Sequence, residues 1–497
     1  MSTERSKNTV NRQRRAGVLL HPTSFPGELA NGDFGHQAYR FIEFLEANGF
    51  KVWQMLPLGP THDDKSPYQC LSSHAGSRQL ISIDWLSDKG WLNCKAFKIA
   101  AIDEDYRSIC LQQAADNFYQ IKEDSWLNRI AEFTRQNSSW LQDFALFMAL
   151  KKQYANRPWY EWPLPVRHRE PAALYEAERK LHASIKQTIF EQFVFFTQWQ
   201  EIREYARQHD VELFGDLPIF VARDSADVWS EKENFLLDND GEMTSVAGVP
   251  PDAFSETGQR WGNPLFDWDH MKASGFSWWK KRLATQLKLF DMVRIDHFRG
   301  LQACWHIPQQ HETAIHGSWR EVPGREMLSA LFDEFQHLPL VAEDLGVITD
   351  EVIELKESFN LPGMKVLQFA FDGSNDNPHL PHRHVQNDII YTGTHDNDTT
   401  LGWVSDEKNY NVNFLKEYSG ASFSTAEQGT LLMIRLAMSS VSFLSILPMQ
   451  DLLMLDSTAR MNTPGTLGGN WEWRFEWQQV RPEIVDRISY FMSLYQR

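Results

Sequence analysis

The chain has 497 residues, of which 42% are hydrophobic, so it can bury a large core, and a single barrel with insertions can reach this length. Its 66 acidic and 49 basic residues give a net charge of -17, which repels phosphate backbones and argues against nucleic acid as a partner. The four cysteines are widely spaced and form no CxxC pair, so neither a zinc site nor a disulfide framework is predicted, and a reducing cytoplasm fits this pattern.

The first fifteen residues are polar and lack the apolar core of a signal peptide, so we expect 1–15 to form a flexible tail. Short apolar runs that end in polar or glycine-rich loops then predict eight strands, at 16–20, 52–58, 211–219, 292–296, 338–343, 365–371, 388–392 and 441–447. Helical segments follow most of these runs, which favours a (β/α)8 TIM barrel over 16–497 as a single catalytic domain; a doubly wound sheet is the alternative. The most apolar late stretch, 431–447, is interrupted by Arg435 and by serines, so no membrane span is predicted.

Two connections are longer than a barrel needs. About 150 residues separate the second and third predicted strands, far more than one crossover requires, so we expect a mostly helical insertion at about 61–208. The connection at about 222–273 contains the stretch 248–264, which is rich in turn formers and yet aromatic, as is typical of an ordered loop over a site. Phe254 and Trp261 could give such a lid an apolar wall.

Carboxylates stand at the predicted C-terminal ends of four strands. They are Asp216, Asp296, Glu343 and Asp396. Barrel enzymes place their sites at this end, so the alignment indicates chemistry on a neutral, acid-labile bond. Because residues i and i+2 of a strand share a face, Arg294 should point into the barrel beside Asp296. Taken singly, this pair could equally be a core ion pair, with Glu343 capping the next helix.

The carboxylates are suited to different tasks. An ionised aspartate beside an arginine suits a nucleophile, so we expect Arg294 to hold Asp296 in its charged form. A general acid must keep its proton near neutral pH, which Glu343 could do if Asp296 and Asp396 disfavour a third negative charge. His395 lies between a strand end and Asp396, and we expect it to bind a substrate hydroxyl.

An ordered series of motifs runs along nearly the whole chain, at 21–26, 54–60, 66–69, 214–220, 250–264, 293–300, 341–346, 393–397, 460–465 and 469–471. With this series the chain resembles the 4-α-glucanotransferases of the amylomaltase or disproportionating-enzyme type, glycoside hydrolase family 77. The resemblance implies a retaining enzyme that moves α-1,4-glucan segments between maltooligosaccharides or glucans, with neither a metal nor an organic cofactor.

The resemblance also implies roles for single residues. Asp296 would be the nucleophile, Glu343 the acid/base and Asp396 the group that holds sugar hydroxyls in the distorted transition state. The residues implied to surround the same glucosyl unit are Tyr68, Asp216, Arg294 and His395. Two other functions stay open: an α-1,4-glucan hydrolase that uses the same carboxylates, and a glucan-binding protein without catalysis.

Overall fold

The computed structural model describes residues 8–92, 104–251, 255–406, 411–466 and 468–497. Within these ranges the strands are β1 (Arg15–Leu19), β2 (Val52–Gln54), β3 (Glu212–Leu217), β4 (Ser245–Val249), β5 (Gln259–Pro264), β6 (Met292–Ile295), β7 (Ala303–Pro308), β8 (Ser318–Glu321), β9 (Leu340–Ala342), β10 (Gly363–Val366), β11 (Asp388–Tyr391) and β12 (Leu444–Pro448). The α-helices are α1 (His36–Ala47), α2 (Ile83–Asp88), α3 (Glu104–Ile121), α4 (Asp124–Gln136), α5 (Leu141–Gln153), α6 (Leu164–Arg167), α7 (Pro171–Lys180), α8 (His182–Gln208), α9 (Ala226–Ser230), α10 (Trp268–Ala273), α11 (Ser277–Leu289), α12 (Gly324–Glu334), α13 (Asp350–Ser358), α14 (Thr400–Ser405), α15 (Asn411–Ser419), α16 (Ala426–Ser439), α17 (Met449–Leu452) and α18 (Pro482–Leu494).

Eight parallel strands form one sheet in the order β10-β11-β12-β1-β2-β3-β6-β9. Each of the eight predicted runs overlaps one of these strands. Read as a ring, the order follows the chain, with β12 beside β1, so the two end strands β9 and β10 come together. The predicted (β/α)8 barrel is therefore confirmed, and the doubly wound alternative is wrong.

The barrel interior is filled by side chains from alternate strand positions. Buried members of this cluster include Leu19, Val52, Phe214, Met292, Val341, Met364, Ile389 and Ile446. Glycine is required at one point of close strand approach. A Cβ at Gly17 would lie 2.6 Å from both the Val52 carbonyl oxygen and Cδ1 of Ile446, so a side chain there would push β1 away from its neighbours.

The contact between β9 and β10, here called the seam, is closed partly by side chains. The Ala342 N–H donates to the Pro362 carbonyl at 2.9 Å, as in a regular ladder. The Met364 N–H instead donates to Oδ1 of Asp344 at 2.7 Å. A carboxylate therefore takes the place of a ladder carbonyl at the C-terminal end of the seam.

The N-terminal segment seals the other end of the seam. A regular parallel ladder would pair the N–H of residue 362 with the Leu340 carbonyl, but Pro362 has no N–H. The buried Asn8 amide donates to this carbonyl at 2.7 Å. In residues 8–15, which the sequence assigns to a flexible tail, polar side chains thus donate to carbonyls of the barrel, as Arg12 also does to the Asn360 carbonyl at 2.7 Å. Residues 1–7 lie outside the described residues.

Helices α2 to α8 lie between β2 and β3, in the interval where the helical insertion was expected. The long helix α8 contributes Phe190 and Phe193 to an aromatic core. Phe190 lies 5.2 Å from the ring of Phe118, which meets Trp91 edge to face at 4.8 Å. Many of the chain's tryptophans are therefore buried in the core.

In the described ranges no helix is long and apolar enough to cross a bilayer.

A second, antiparallel sheet in the order β5-β4-β7-β8 is absent from the sequence prediction. The stretch 248–264, expected to be a loop, contributes to a hairpin formed by β4 and β5. Its glycines and prolines have low strand propensity, and pairing with β7 overrides that preference. The Ala314 N–H between β7 and β8 donates to the Thr257 carbonyl at 3.1 Å, so the two hairpins also meet near their tips.

Candidate active site

The strand ends bring most of the predicted site residues into one connected cluster. Asp216 is the penultimate residue of β3, Arg294 lies in β6 with Asp296 directly after it, and Glu343 follows β9. Parallel strands of a barrel all end on the same face, which explains how residues far apart in the chain meet. His395 and Asp396 join from the loop after β11.

Arg294 is the centre of the cluster. Its Nε donates to Oδ1 of Asp216 at 2.9 Å, and its Nη2 donates to Oδ2 of the same carboxylate at 2.6 Å. The same Nη2 reaches Oδ1 of Asp296 at 2.8 Å. The Arg294 and Asp216 side chains are only 5% and 1% exposed, so this fork is a buried, charge-assisted pair with a fixed geometry.

Tyr68, from the loop after β2, extends this network. Its hydroxyl donates to Oδ2 of Asp216 at 2.7 Å and accepts from Nη2 of Arg294 at 3.2 Å. The Tyr68 ring stacks on the His395 ring, with centroids 5.2 Å apart and planes 15° apart. Trp471 lies 5.9 Å from both rings. Tyr68 thus connects the Arg294 cluster to the β11 loop.

Asp296 stays partly accessible, with 28% of its side chain exposed. Burial raises its pKa to about 6, and the nearby Asp216 acts in the same direction while Arg294 opposes both. Desolvation thus outweighs the effect of the arginine on the pKa of Asp296, and the assignment of Arg294 as the group that holds this carboxyl charged stays a prediction. At neutral pH the carboxylate is still the major form.

Glu343 is held by backbone amides. The His297 N–H donates to Oε2 at 2.6 Å, and the Leu345 N–H donates to Oε1 at 3.2 Å. Burial and then the charge of Asp296 raise the pKa of Glu343 to about 8, against the opposing effect of Arg294. Each carboxyl oxygen keeps a second lone pair, so Glu343 can carry a proton at neutral pH while both amide contacts remain.

Asp396 has the opposite electrostatic environment. Burial would raise its pKa, but His395 and a hydrogen bond from Asn462 outweigh burial and lower it to about 2. Nε2 of His395 lies 3.2 Å from Oδ2, and the Asn462 amide donates to Oδ1 at 2.6 Å. With 47% of its side chain exposed, the Asp396 carboxylate remains accessible from solvent.

The second sheet reaches the same site. Trp261, on β5, meets the His297 ring edge to face at 4.8 Å and lies 6.2 Å from Phe220. His297 follows Asp296 and adopts a left-handed backbone conformation, with φ of 53°, which is uncommon for a residue other than glycine. Phe254, the other aromatic residue predicted for the lid, lies outside the described residues.

A small cavity lies between the barrel and the helical insertion, beside the cluster. Its lining includes Tyr68, Asp216, Cys70, His74 and Arg282. Its volume of about 40 Å³ can hold water but not a sugar ring. Among the residues that the structure describes, no group of three or more His, Cys, Asp or Glu side chains is arranged to hold a metal ion.

Residues 20–479 match the sequence model of a family described as 4-α-glucanotransferase. The chain belongs to this family. A 4-α-glucanotransferase from Synechocystis sp. is 45% identical over 98% of each chain, and one from Thermus thermophilus is 44% identical over 96% of this chain and 97% of its own. The structure of an amylomaltase from Streptococcus agalactiae in complex with acarbose has a TM-score of 0.93 and 35% identity, over 98% of this chain and all of that one. The resemblance noted from the motifs is confirmed, and the chain is an enzyme of the 4-α-glucanotransferase type.

The strand-end pattern missed three residues that contact the cluster, and all three lie in the motif series. Asn462 and Trp471 fall in the matching motifs at 460–465 and 469–471, but nothing in those segments alone indicates contact with a strand end. His297 falls in the motif at 293–300, where its backbone N–H rather than its side chain reaches Glu343. The motif series was the available signal for all three residues.

Proposed function

We propose that the enzyme moves α-1,4-glucan segments from one maltooligosaccharide or glucan to another by a retaining double displacement. The observation that carries this proposal is a pair of carboxyl groups in one cluster with pKa values on either side of neutrality, about 6 for Asp296 and about 8 for Glu343. One is therefore mainly charged and the other mainly protonated at pH 7. This is the division of labour that retaining glycoside chemistry needs.

In the first step an oxygen of the Asp296 carboxylate attacks the anomeric carbon of the donor. The bond from that carbon to the glycosidic oxygen breaks, and Glu343 gives its proton to the departing oxygen. The shortened glucan leaves with a free 4-hydroxyl. The other part of the donor stays joined to Asp296 as an ester.

In the second step the 4-hydroxyl of an acceptor sugar attacks the same carbon. Glu343, now a carboxylate, takes the hydroxyl proton while the ester bond to Asp296 breaks. Two inversions at one carbon give net retention, and both carboxyl groups return to their starting forms. No other reactant is needed.

The substrate-binding roles follow from the charges in the cluster. Asp396, kept ionised at a pKa of about 2, accepts hydrogen bonds from sugar hydroxyls and strengthens them as positive charge develops on the ring. Tyr68 and His395 present a stacked pair of rings on the same side. Trp261 supplies an apolar surface from the second sheet, and Phe254 is assigned to the same lid.

Transfer must prevail over hydrolysis, although water at about 55 M outnumbers any sugar acceptor. The second sheet offers a physical reason, because Trp261 stands beside His297, directly after the nucleophile. An apolar cover of this kind excludes water and favours a bound sugar as acceptor. Cys70 and Cys304 are free thiols. We expect a cytoplasmic location, with glucans and not nucleic acid as partners.

Incubation with pure maltotriose and chromatography of the products tests this function. Transfer yields longer oligosaccharides together with glucose. Breakdown to glucose and maltose alone would mean hydrolysis, and an unchanged substrate would mean a binding protein. Asp296→Asn should lower turnover by orders of magnitude while glucan binding survives. The matched control is Asp333→Asn, an exposed aspartate on α12. Substantial turnover by Asp296→Asn would contradict the proposed nucleophile.

A further inference from the structure

The carboxylate of Asp344, next to Glu343 in the chain, is fully engaged inside the protein. Oδ1 accepts the Met364 N–H of β10 at 2.7 Å. Oδ2 accepts from Nζ of Lys356, on α13, at 2.6 Å. The Asp344 and Lys356 side chains are 5% and 14% exposed, so this is a buried ion pair that joins three elements.

Glu343 depends on this ion pair for support on one side. On the β6 side its backbone is held by two main-chain bonds, from its N–H to the Ile295 carbonyl at 3.0 Å and from the Phe298 N–H to its own carbonyl at 3.1 Å. On the β10 side the next tie along the chain is the Asp344 carboxylate. The end of β9 is therefore fixed to β10 through a side chain.

The fold leaves space for this contact. A Cβ at Gly363 would lie 2.5 Å from Oδ2 of Asp344 and 2.7 Å from Nζ of Lys356. Only glycine at this position lets the carboxylate and the ammonium group approach β10. A surface ion pair of incidental origin would not require a backbone position without a side chain.

We propose that Asp344 is a positioning residue for the acid/base: its clamp on Met364 and Lys356 fixes the end of β9, so that the Glu343 carboxyl stays on the amides of His297 and Leu345. This role rests on the proposed function, because it assumes that Glu343 transfers the proton. Asp344 itself touches neither the substrate nor the reacting atoms in this assignment.

The charged surroundings make a second effect of Asp344 measurable. The groups that bear on Glu343 are Asp296, Arg294, the His297 backbone and Asp344. The groups on adjacent elements that interact with Asp344 include Lys356, His379 and Asp388. The negative charge of Asp344 favours the protonated form of Glu343, and Lys356 partly neutralises that charge. Removing the Asp344 charge should therefore lower the pKa of Glu343, and removing the Lys356 charge should raise it.

The first experiment compares two donors in single-turnover reactions. Maltotriose needs a proton on its leaving oxygen, whereas maltotriosyl fluoride releases fluoride with little protonation. Asp344→Ala should slow cleavage of maltotriose by about 10²-fold, the effect of a small misplacement of a catalytic group, and leave the burst of fluoride release within a few fold. Asp344→Asn keeps an acceptor for the Met364 N–H and should restore part of the rate. Equal losses with both donors would mean a merely structural residue and overturn the inference.

The second experiment follows the alkaline limb of the pH profile of kcat/KM. Asp344→Asn should move this limb to lower pH, because a negative charge near Glu343 is lost. Lys356→Met keeps the carboxylate but removes its counter-ion, so it should move the limb to higher pH. If the alkaline limbs of the two variants stay in place or move in the same direction, the inference is overturned. This comparison tests the inference even if Asp344→Ala does not fold.

Glu343→Gln separates failure of this inference from failure of the proposed function. With the same two donors it should lose maltotriose cleavage and keep the fluoride burst. If Glu343→Gln loses both equally, the proposed acid/base role fails, and the role of Asp344 fails with it. If Glu343→Gln loses only maltotriose cleavage, whereas Asp344→Ala loses activity on both donors equally, only the positioning role of Asp344 is refuted.

Discussion

The raised pKa of Glu343 should make the fold less stable than it would be with a neutral side chain at this position. The folded protein holds the proton up to a pKa of about 8, whereas the unfolded chain releases it near 4.5. Stability therefore falls as pH rises between these values. Each pH unit corresponds to about 1.4 kcal/mol, so the penalty at pH 7 is about 3 kcal/mol, as an upper value because the side chain keeps some contact with solvent.

Glu343→Gln removes this penalty and keeps nearly the same shape. The amide retains one oxygen for the His297 N–H but loses the acceptor for the Leu345 N–H, which costs about 1 kcal/mol. The variant should thus be about 2 kcal/mol more stable than the native chain at pH 7. At pH 4.5 the penalty is absent, so only the lost hydrogen bond remains and the variant should be about 1 kcal/mol less stable than the native chain.

Urea denaturation between pH 4.5 and pH 8 measures the difference. The control is Glu357→Gln, which removes an exposed carboxylate on α13 and should change stability by no more than about 0.5 kcal/mol at any pH. The reasoning is refuted if the stability advantage of Glu343→Gln does not grow with pH, or if Glu357→Gln shows the same growth.

Three further outcomes follow from the cluster. The pH profile of kcat/KM should be a bell with limbs near 6 and 8, since Asp296 must be charged and Glu343 protonated; a single limb would contradict this. Asn462→Ala removes a 2.6 Å hydrogen bond to Asp396 and should lower kcat roughly tenfold, measured on maltotriose; an unchanged kcat would exclude a role for this contact. Arg294→Met leaves the Asp216 charge buried and unpaired, at a cost of about 3–5 kcal/mol in urea denaturation, and adding Asp216→Asn should restore part of it; a further loss would contradict the buried pair.

The barrel could be predicted from the sequence because each of its strands is marked by residues that are close together in the chain. Each strand is a short apolar run that ends in polar or glycine-rich residues, and helical segments separate most of these runs. The ends of the strands were harder to predict. β10 begins at Gly363, two residues before the predicted run, because proline and glycine at 362 and 363 have low strand propensity. Backbone pairing with β11 sets where β10 begins, and the residue types at this position do not indicate it.

The second sheet and the ordered N-terminal segment were not predictable for a related reason. β5 contains Gly262 and Pro264, which lower strand propensity, and its pairing partner β4 is itself rich in small residues. Asn8 is ordinary for a polar tail until the Leu340 carbonyl, left without a ladder donor by Pro362, gives it a partner. Both features depend on contacts between distant parts of the chain.

For the site, the sequence gives the positions of the acids but not their environments. Asp296, Glu343 and Asp396 all follow apolar runs, so the strand-end pattern treats them alike. Their pKa values of about 6, about 8 and about 2 differ because burial dominates at the first two, whereas an imidazole and the Asn462 amide act on the third. The imidazole belongs to the neighbouring His395, whereas the amide comes from another loop, 66 residues away along the chain. The division of tasks among equivalent acids is thus a property of tertiary contacts, and substitutions at those contacts should redistribute the tasks without touching any acid.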